Sequence, residues 1–300
     1  MRRVAAAIAA ALALSACAAV GGSDRPQVVV TTNILGDVVE QVLGDQVDVT
    51  VLMPPNSDPH SSEISARQAA AMGDADLVVS NGLGLEEGLQ QHLDRAADAG
   101  APMLVAGDEV DVVPYASGDD EGTPDPHFWT DPAAMVDVVD ALEEKAAGID
   151  GIDLDRLERD ATAYRTELAE LDADMTSAFA AIPPARRALV TNHHVFGYLA
   201  ERFDFRVVGA VIPGGTTLAA PSAADLRDLG EAISTAGVST IFAESSQPDR
   251  LVQVLADEAR IDVDVVELFT ESLTEKGGGA ATYLQMMRAN TDRISAGLTG

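Results

Sequence analysis

Residues 153–182 read DLDRLERDATAYRTELAELDADMTSAFAAI. The apolar positions in this stretch are Leu154, Leu157, Ala161, Tyr164, Leu168, Leu171, Met175 and Phe179. Steps of three and four place them on one face of an α-helix. Asp153 is the expected N-cap, and Pro183-Pro184 forbids continuation because proline has no N–H to give the ladder. At 1.5 Å per residue such a helix runs about 40 Å, the width of a domain. It holds no Gly or Pro, so it is expected to act as a stiff strut. A similar strand–helix–strand pattern stands once before it and once after it, so the strut joins two halves.

In the first half, Val28 to Thr32 is a β-branched strand, and ILGDVVEQVLG continues as an amphipathic helix. Val47 to Met53 is a second strand, ended by Pro54-Pro55. The polar loop Asn56-Ser57-Asp58-Pro59-His60-Ser61-Ser62-Glu63 opens a helix through ARQAAAM. Ala75 to Ser80 is a third strand, followed by the turn Asn81-Gly82 and a helix expected from Leu85 to Ala97; Met103 to Val105 is a fourth strand. An acidic loop, 117–124, reads as a soluble linker and leads into Asp125-Pro126-His127-Phe128-Trp129-Thr130-Asp131-Pro132. Asp131 and Pro132 suit the N-cap and first turn of a helix to Ala147.

After the strut the pattern restarts. Ala188 to Asn192 is a strand, VFGYLAERF a helix, and Arg206 to Ile212 a second strand, with Pro213 standing where Pro54 stood. A helix from Ala223 to Thr235, a strand from Ser239 to Ala243, a helix from Leu251 to Ala259, a strand from Val263 to Leu268 and a helix from Thr282 to Ala296 complete the chain. Alternating strands and helices imply an α/β fold of parallel sheets with helices on both faces. Such sheets bind ligands beyond the carboxyl ends of their strands, so two of them joined by a strut enclose a cleft.

The 300 residues carry 49 acidic and 19 basic side chains, a formal charge of -30 that excludes nucleic acid as a partner. With 47% hydrophobic residues the chain is rich enough to build buried cores. The N-terminus, MRRVAAAIAAALALSAC, has two arginines and an apolar run too short to span a bilayer. Leu14-Ser15-Ala16-Cys17 resembles a bacterial lipobox, which makes residues 1–16 a signal peptide, Cys17 a lipidation site and 17–26 a tether. Cys17 is the only cysteine, so the exported chain has no disulfide.

Four of the five histidines fall in loops, where function concentrates. His60 follows the second strand, His127 precedes the last helix before the strut, and His193 and His194 end the first strand of the second half. Three loops converging on one cleft, two of them carrying Asp-Pro-His, point to a metal site. Imidazole ligation completed by a carboxylate is the usual zinc choice, and Glu271, after the last strand, is placed to supply the carboxylate. Glu63 reads as a first-turn carboxylate, Asp58, Asp125 and Asp131 as turn and cap residues, and His92 as a structural residue on a helix. Glu244 can orient a ligand imidazole or close a turn, and Trp129 reads as core. There is no Walker A motif and no HExxH.

The segments DPHSSEISARQAAAMGDADLVVSNGLGLE, DPHFWTDP, VTNHHVFGYLAERF, IFAESS and TYLQMMRANTDRI resemble the metal-specific solute-binding lipoproteins of ABC transporters. The resemblance implies two Rossmann-like lobes, 27–150 and 185–300, joined by one long helix within 151–184, with zinc or manganese held between them. It implies a receptor, not an enzyme, lipid-anchored outside the cytoplasm, monomeric, and serving a membrane permease driven by a separate ATPase. It places His60, His127 and His193 at ligand positions. Neighbours on an extended backbone point to opposite faces, so one of His193 and His194 binds, and His193 is the expected one. Glu271 stands where the family commonly has Asp, one methylene longer. Zn²⁺ is the expected cargo, since three imidazoles suit it better than Mn²⁺. A manganese receptor of the same type, a zinc hydrolase and a surface adhesin are the alternatives. Because Glu271 lies on the side of Gly277-Gly278-Gly279, its loop is the expected point of release.

Overall fold

A computed structural model describes residues 25–245 and 263–299. Residues 1–24, with the expected signal peptide and Cys17, and the helix expected from Leu251 to Ala259 lie outside the described residues. The first half contains β1 (Gln27–Val30), α1 (Asn33–Leu43), β2 (Asp48–Val51), α2 (Ala66–Gly73), β3 (Leu77–Ser80), α3 (Gln90–Asp98), β4 (Met103–Val105) and α4 (Pro132–Ala146). Then comes α5 (Leu154–Ala180), the strut. The second half contains β5 (Ala188–Thr191), α6 (Gly197–Phe203), β6 (Arg206–Ala210), α7 (Ala223–Ala236), β7 (Thr240–Glu244), β8 (Asp264–Leu268) and α8 (Tyr283–Thr299).

The strands form two four-stranded sheets of the same order, β2-β1-β3-β4 and β6-β5-β7-β8, and every pair is parallel. Parallel sheets need crossover helices on their faces, and the burial of each strand shows it. Val28 and Val30 of β1 face the large central core, while Val29 faces a second cluster with Leu52, Met72, Val78, Leu89 and Leu93. The other half repeats this, with Leu189 in the central core and Val190 in an outer cluster with Val211, Leu229, Ile233 and Ile241. Consecutive residues go to opposite faces because the strand period is two.

The strut carries 27 helical residues without interruption, capped by Asp153, whose carboxylate accepts from the Arg156 N–H. Leu157, Ala161, Tyr164, Leu168, Leu171, Met175 and Phe179 are its buried residues. It packs along α1 and α4 of the first half and α8 of the second. Its start is tied to the first half by Arg156 with Asp45 at 2.6 Å and by the Asp153 N–H with the Gln46 amide oxygen at 2.8 Å. Its end inserts Phe179 between Phe203 and Phe205, with ring centroids 5.2 and 5.0 Å away. One rigid element therefore has one foot in each half.

Three local expectations change. The helix expected from Leu85 begins at Gln90, because Glu86 is occupied elsewhere: its carboxylate accepts from the Asn81 and Gly82 N–H groups at 2.6 and 3.0 Å and from the Thr31 hydroxyl at 2.7 Å. That turn precedes any helical ladder. The helix α2 starts after a Ser65–Gln68 capping box, so Glu63 is outside its first turn and exposed. The 117–124 loop is not a free linker but docks on the second half, with Asp119 N–H on the Pro213 carbonyl at 3.0 Å and Asp120 accepting from Gly215 N–H at 2.7 Å. Gly118 has φ of +94°, and a Cβ there would strike the Pro213 carbonyl and the His194 ring.

Truncating the buried face of the strut tests this packing. Leu168→Ala and Leu171→Ala should each cost about 2–5 kcal/mol, whereas Leu154→Ala, on a side chain 56% exposed, should stay within about 0.5 kcal/mol. Urea unfolding followed by circular dichroism measures both. An equal loss at Leu154 would mean that the packed face is misassigned.

Candidate metal centre

Both Asp-Pro-His segments fold the same way. The Asp58 carboxylate accepts from the His60 N–H at 2.9 Å, and the Asp125 carboxylate accepts from the His127 N–H at 2.9 Å. The proline fixes its own φ, and the aspartate closes a turn onto the backbone two residues on, so each histidine leaves its loop in a set direction. His60 follows β2 and His127 follows β4. His193 lies two residues past β5, its carbonyl accepting from the Thr191 hydroxyl at 2.6 Å. Glu271 lies three residues past β8. His193 and Glu271 sit just past the carboxyl ends of their strands, while His60 and His127 are carried there by longer loops.

The four side chains meet. Nε2 of His127 is 3.4 Å from Nε2 of His60 and 3.4 Å from Nε2 of His193. Glu271 Oε1 stands 2.9, 3.4 and 3.3 Å from Nε2 of His60, His127 and His193. The residues are 3%, 0%, 0% and 2% exposed. Among the described residues no donor apart from these imidazoles reaches either oxygen of Glu271. A buried carboxylate facing three ring nitrogens is a donor set turned toward a common centre.

Two more carboxylates stand behind the rings. Asp125 Oδ1 is 2.7 Å from Nδ1 of His127, and Glu244, at the end of β7, contacts Nδ1 of His193. Each draws the ring proton to Nδ1 and leaves the Nε2 lone pair facing the centre. A Cβ at Gly197 would strike Asp125, which is why the VFGY segment carries glycine at its helix start. Asp125 is therefore more than the turn residue it reads as: one oxygen both closes the turn and orients the ring. Burial disfavours charge on His127 and His193, but Asp125 beside the first, and Glu244 with Glu271 beside the second, outweigh it and raise both above 6.5. Burial likewise opposes charge on Glu271, yet the three imidazoles hold its carboxyl well below the usual range. Glu244 is pushed up by burial, against the pull of His193.

The remaining sequence candidates stand apart. His194 points away from the cluster onto Tyr115 and Gly118, and burial lowers its pKa. His92 is half-buried on α3, and Asp131 caps α4 by accepting from the Ala133 N–H at 2.8 Å. Trp129 is core, as it reads, but its indole N–H also donates to the Thr270 carbonyl at 2.8 Å. The Glu271 loop is in fact fastened to the opposite half. Asn33 accepts from the Leu273 N–H at 2.8 Å and donates to Ser272 Oγ at 2.7 Å, and the Asn56 N–H donates to the Leu273 carbonyl at 2.9 Å.

Two parallel α/β lobes with a buried cluster of cation-ligating side chains between them define a two-lobed solute-binding protein. Residues 28–297 match the family model of the periplasmic component A of the zinc-uptake complex. The zinc-binding protein TroA of Treponema pallidum is 31% identical over 278 residues, 91% of this chain and 89% of that one. The manganese-binding lipoprotein MntA of Halalkalibacterium halodurans is 26% identical over 273 residues, covering 91% and 88%. The solved structure of the TroA periplasmic zinc binding protein superposes with a TM-score of 0.84 at 29% identity, covering 92% of this chain and all of that one. A manganese-bound periplasmic protein of Candidatus Liberibacter asiaticus gives 0.80 at 23% identity over 91% of this chain and shares the fold. The chain belongs to the family of metal-specific solute-binding proteins of ABC transporters, as its motifs imply.

If the Glu244 carboxylate orients His193, Glu244→Gln should weaken divalent-metal binding about 10- to 100-fold, with Glu244→Ala no better. Isothermal titration with Zn²⁺ measures this, and unchanged affinity would reduce Glu244 to a turn residue.

Proposed function

We propose that the chain captures Zn²⁺ at His60, His127, His193 and Glu271 and delivers it to a membrane permease powered by a separate ATPase. The observation that carries this is the closed, buried donor set. Counted with Asp125 and Glu244, three buried carboxylates surround the three imidazoles, and uncompensated charge in such a place is costly. A divalent cation compensates it. For zinc over manganese, the spacing is the support. A tetrahedral zinc centre with bonds of about 2.0–2.1 Å has edges of about 3.3–3.4 Å; Nε2 of His127 is 3.4 Å from Nε2 of both His60 and His193, and Glu271 Oε1 is 2.9–3.4 Å from the three rings. Three nitrogens and one oxygen also suit zinc better than the oxygen-rich sets manganese favours.

The same closure argues against a hydrolase. Catalytic zinc keeps one coordination position open for water, and Glu271 would fill it. In this reading residues 1–16 are removed, Cys17 carries the lipid and 17–26 tether a two-lobed receptor outside the cytoplasm. No helix among the described residues is long and apolar enough to cross a membrane. The lobes are 27–150 and 185–300, with 151–184 between them, and the receptor acts as a monomer.

Protein purified without chelators should hold close to one zinc per chain, and Zn²⁺ should displace Mn²⁺ in direct competition; the reverse order would make it a manganese receptor. His60→Ala, His127→Ala and His193→Ala should each weaken binding at least about tenfold, or 1.4 kcal/mol, while His92→Ala and His194→Ala should not.

Affinity should also fall with acid. The metal takes only the unprotonated Nε2, so a ring that is protonated in the free protein must release its proton on binding. Raised imidazoles hold protons to higher pH, so affinity rises with pH until the pH exceeds the raised values of His127 and His193, above the ordinary 6.5. Titration between pH 8 and 6 should show affinity already falling above 6.5, with protons released. A profile flat over that range would contradict a site built on these rings.

A further inference from the structure

The four ligands are held unequally. His127 is fixed at its N–H and at Nδ1 by Asp125, and the Asn81 side-chain amide holds the adjacent Pro126 carbonyl at 3.0 Å. His193 is fixed by Glu244, and the Glu271 loop by Trp129, Asn33 and Asn56. His60 differs: among the described residues its Nδ1 has no hydrogen-bond partner. What sets its position is the turn closed by Asp58.

That turn is gripped from across the cleft. While one oxygen of Asp58 accepts from the His60 N–H, the other accepts the Thr217 hydroxyl at 2.6 Å, from a residue 159 positions away in the loop after β6. The loop from Pro213 to Thr217 is itself belted by the first half. Asp119 N–H reaches the Pro213 carbonyl at 3.0 Å, Asp120 accepts from the Gly215 N–H at 2.7 Å, and the Tyr115 hydroxyl donates to the Gly215 carbonyl at 3.1 Å. Beside it lies a cavity of about 180 Å³ lined by His60, Tyr115, Asp120, Gly215 and Thr216, and of the four ligands only His60 lines it.

We infer that Thr217 is a positioning residue for metal retention: its hydroxyl holds Asp58, Asp58 holds His60 in the cluster, and His60 is the ligand that leaves first. The inference rests on the metal-capture reading. A hydroxyl on a carboxylate is a charge-assisted bond between two lobes, and a carboxylate anchored at both oxygens cannot rotate. When the 213–217 loop is drawn away, Asp58 loses the Thr217 hydroxyl and the His60 turn loses its bond across the cleft. The ring then has the adjoining cavity to swing into, and the cargo leaves on that side. His127, His193 and Glu271 keep their own supports throughout.

The test is zinc release from the mature chain to an excess of chelator, by stopped flow. Thr217→Val keeps the shape and removes the donor, and it should speed release at least tenfold with little change in the association rate. Thr217→Ser should restore release to within about twofold. The acceleration must act through His60: Thr217→Val should add little in a His60→Ala background but keep its full effect in a His127→Ala background. In chelator-stripped protein, Thr217→Val should raise hydrogen exchange at the His60 N–H. Wild-type release rates in Thr217→Val, equal acceleration in both backgrounds, or unchanged exchange at His60 would each overturn the latch. Should the wild type bind no stoichiometric zinc, the capture reading fails, and the exchange measurement still decides the latch.

Discussion

Imidazole nitrogens 3.4 Å apart and facing one another repel unless a proton or a cation stands between them. The whole architecture is arranged to maintain that unfavourable gathering. Asp125 and Glu244 decide which nitrogen of His127 and His193 faces inward. Burial removes the water that would otherwise screen the repulsion, and it strengthens the field of Glu271 at the same point. The raised imidazoles and the depressed Glu271 are the protonic expression of that field. A divalent ion replaces those protons with a single charge at the centre of the donor set.

Holding such a set demands stiffness from parts of the chain that are far apart in sequence. His193 and Glu271 reach the cluster from just past the ends of β5 and β8, while His60 and His127 reach it on longer loops pinned by their Asp-Pro-His turns. The strut keeps the sheets from separating, since Phe179 is packed in one half while Arg156 and Asp153 are bonded in the other. A helix resists hinge bending because every bend strains its hydrogen-bond ladder. The second half also returns across the cleft: the Tyr283 N–H donates to Asp37 at 2.7 Å and its hydroxyl to the Trp129 carbonyl at 2.7 Å. These bonds carry the Glu271 loop against the first half.

Much of this was legible in the sequence, and the illegible parts share a physical cause. The strut was readable because its apolar steps of three and four run without a Gly or Pro. The two Asp-Pro-His segments announced their histidines because an aspartate two residues before a ring is a local turn device. Strand alternation separates His193 from His194 in the sequence, but β5 ends at Thr191, so the bend beyond it, not an extended backbone, sends one ring into the cluster and the other onto Tyr115. Glu244 and Asp125 were harder, because a carboxylate at the end of a strand or in a turn is ordinary in sequence and acquires its role only when a ring arrives from elsewhere. The same holds for the 117–124 loop, whose acidic composition gives no sign that Asp119 and Asp120 meet the Pro213–Gly215 backbone. The Glu271 loop, beside three glycines in sequence, is also bonded to Asn33, Asn56 and Trp129, far away in the chain, which its own sequence does not announce.

Capture and release make opposite demands on such a molecule, and a stiff strut sharpens the conflict. Receptors that close by a wide hinge can relieve it by reopening the whole cleft. A strut leaves that route costly, so the ligands themselves must differ in how firmly they are held. His127 and His193 each have a buried carboxylate behind the ring, and the Glu271 loop is bonded across to the other half. The fourth, His60, stands on a turn whose far anchor is a half-buried threonine in a loop beside open space. An uneven set of this kind keeps the buried charge compensated in the closed state and confines the motion needed for release to a few residues. On this reading, the distribution of second contacts around the four side chains, more than the side chains themselves, sets where the site opens.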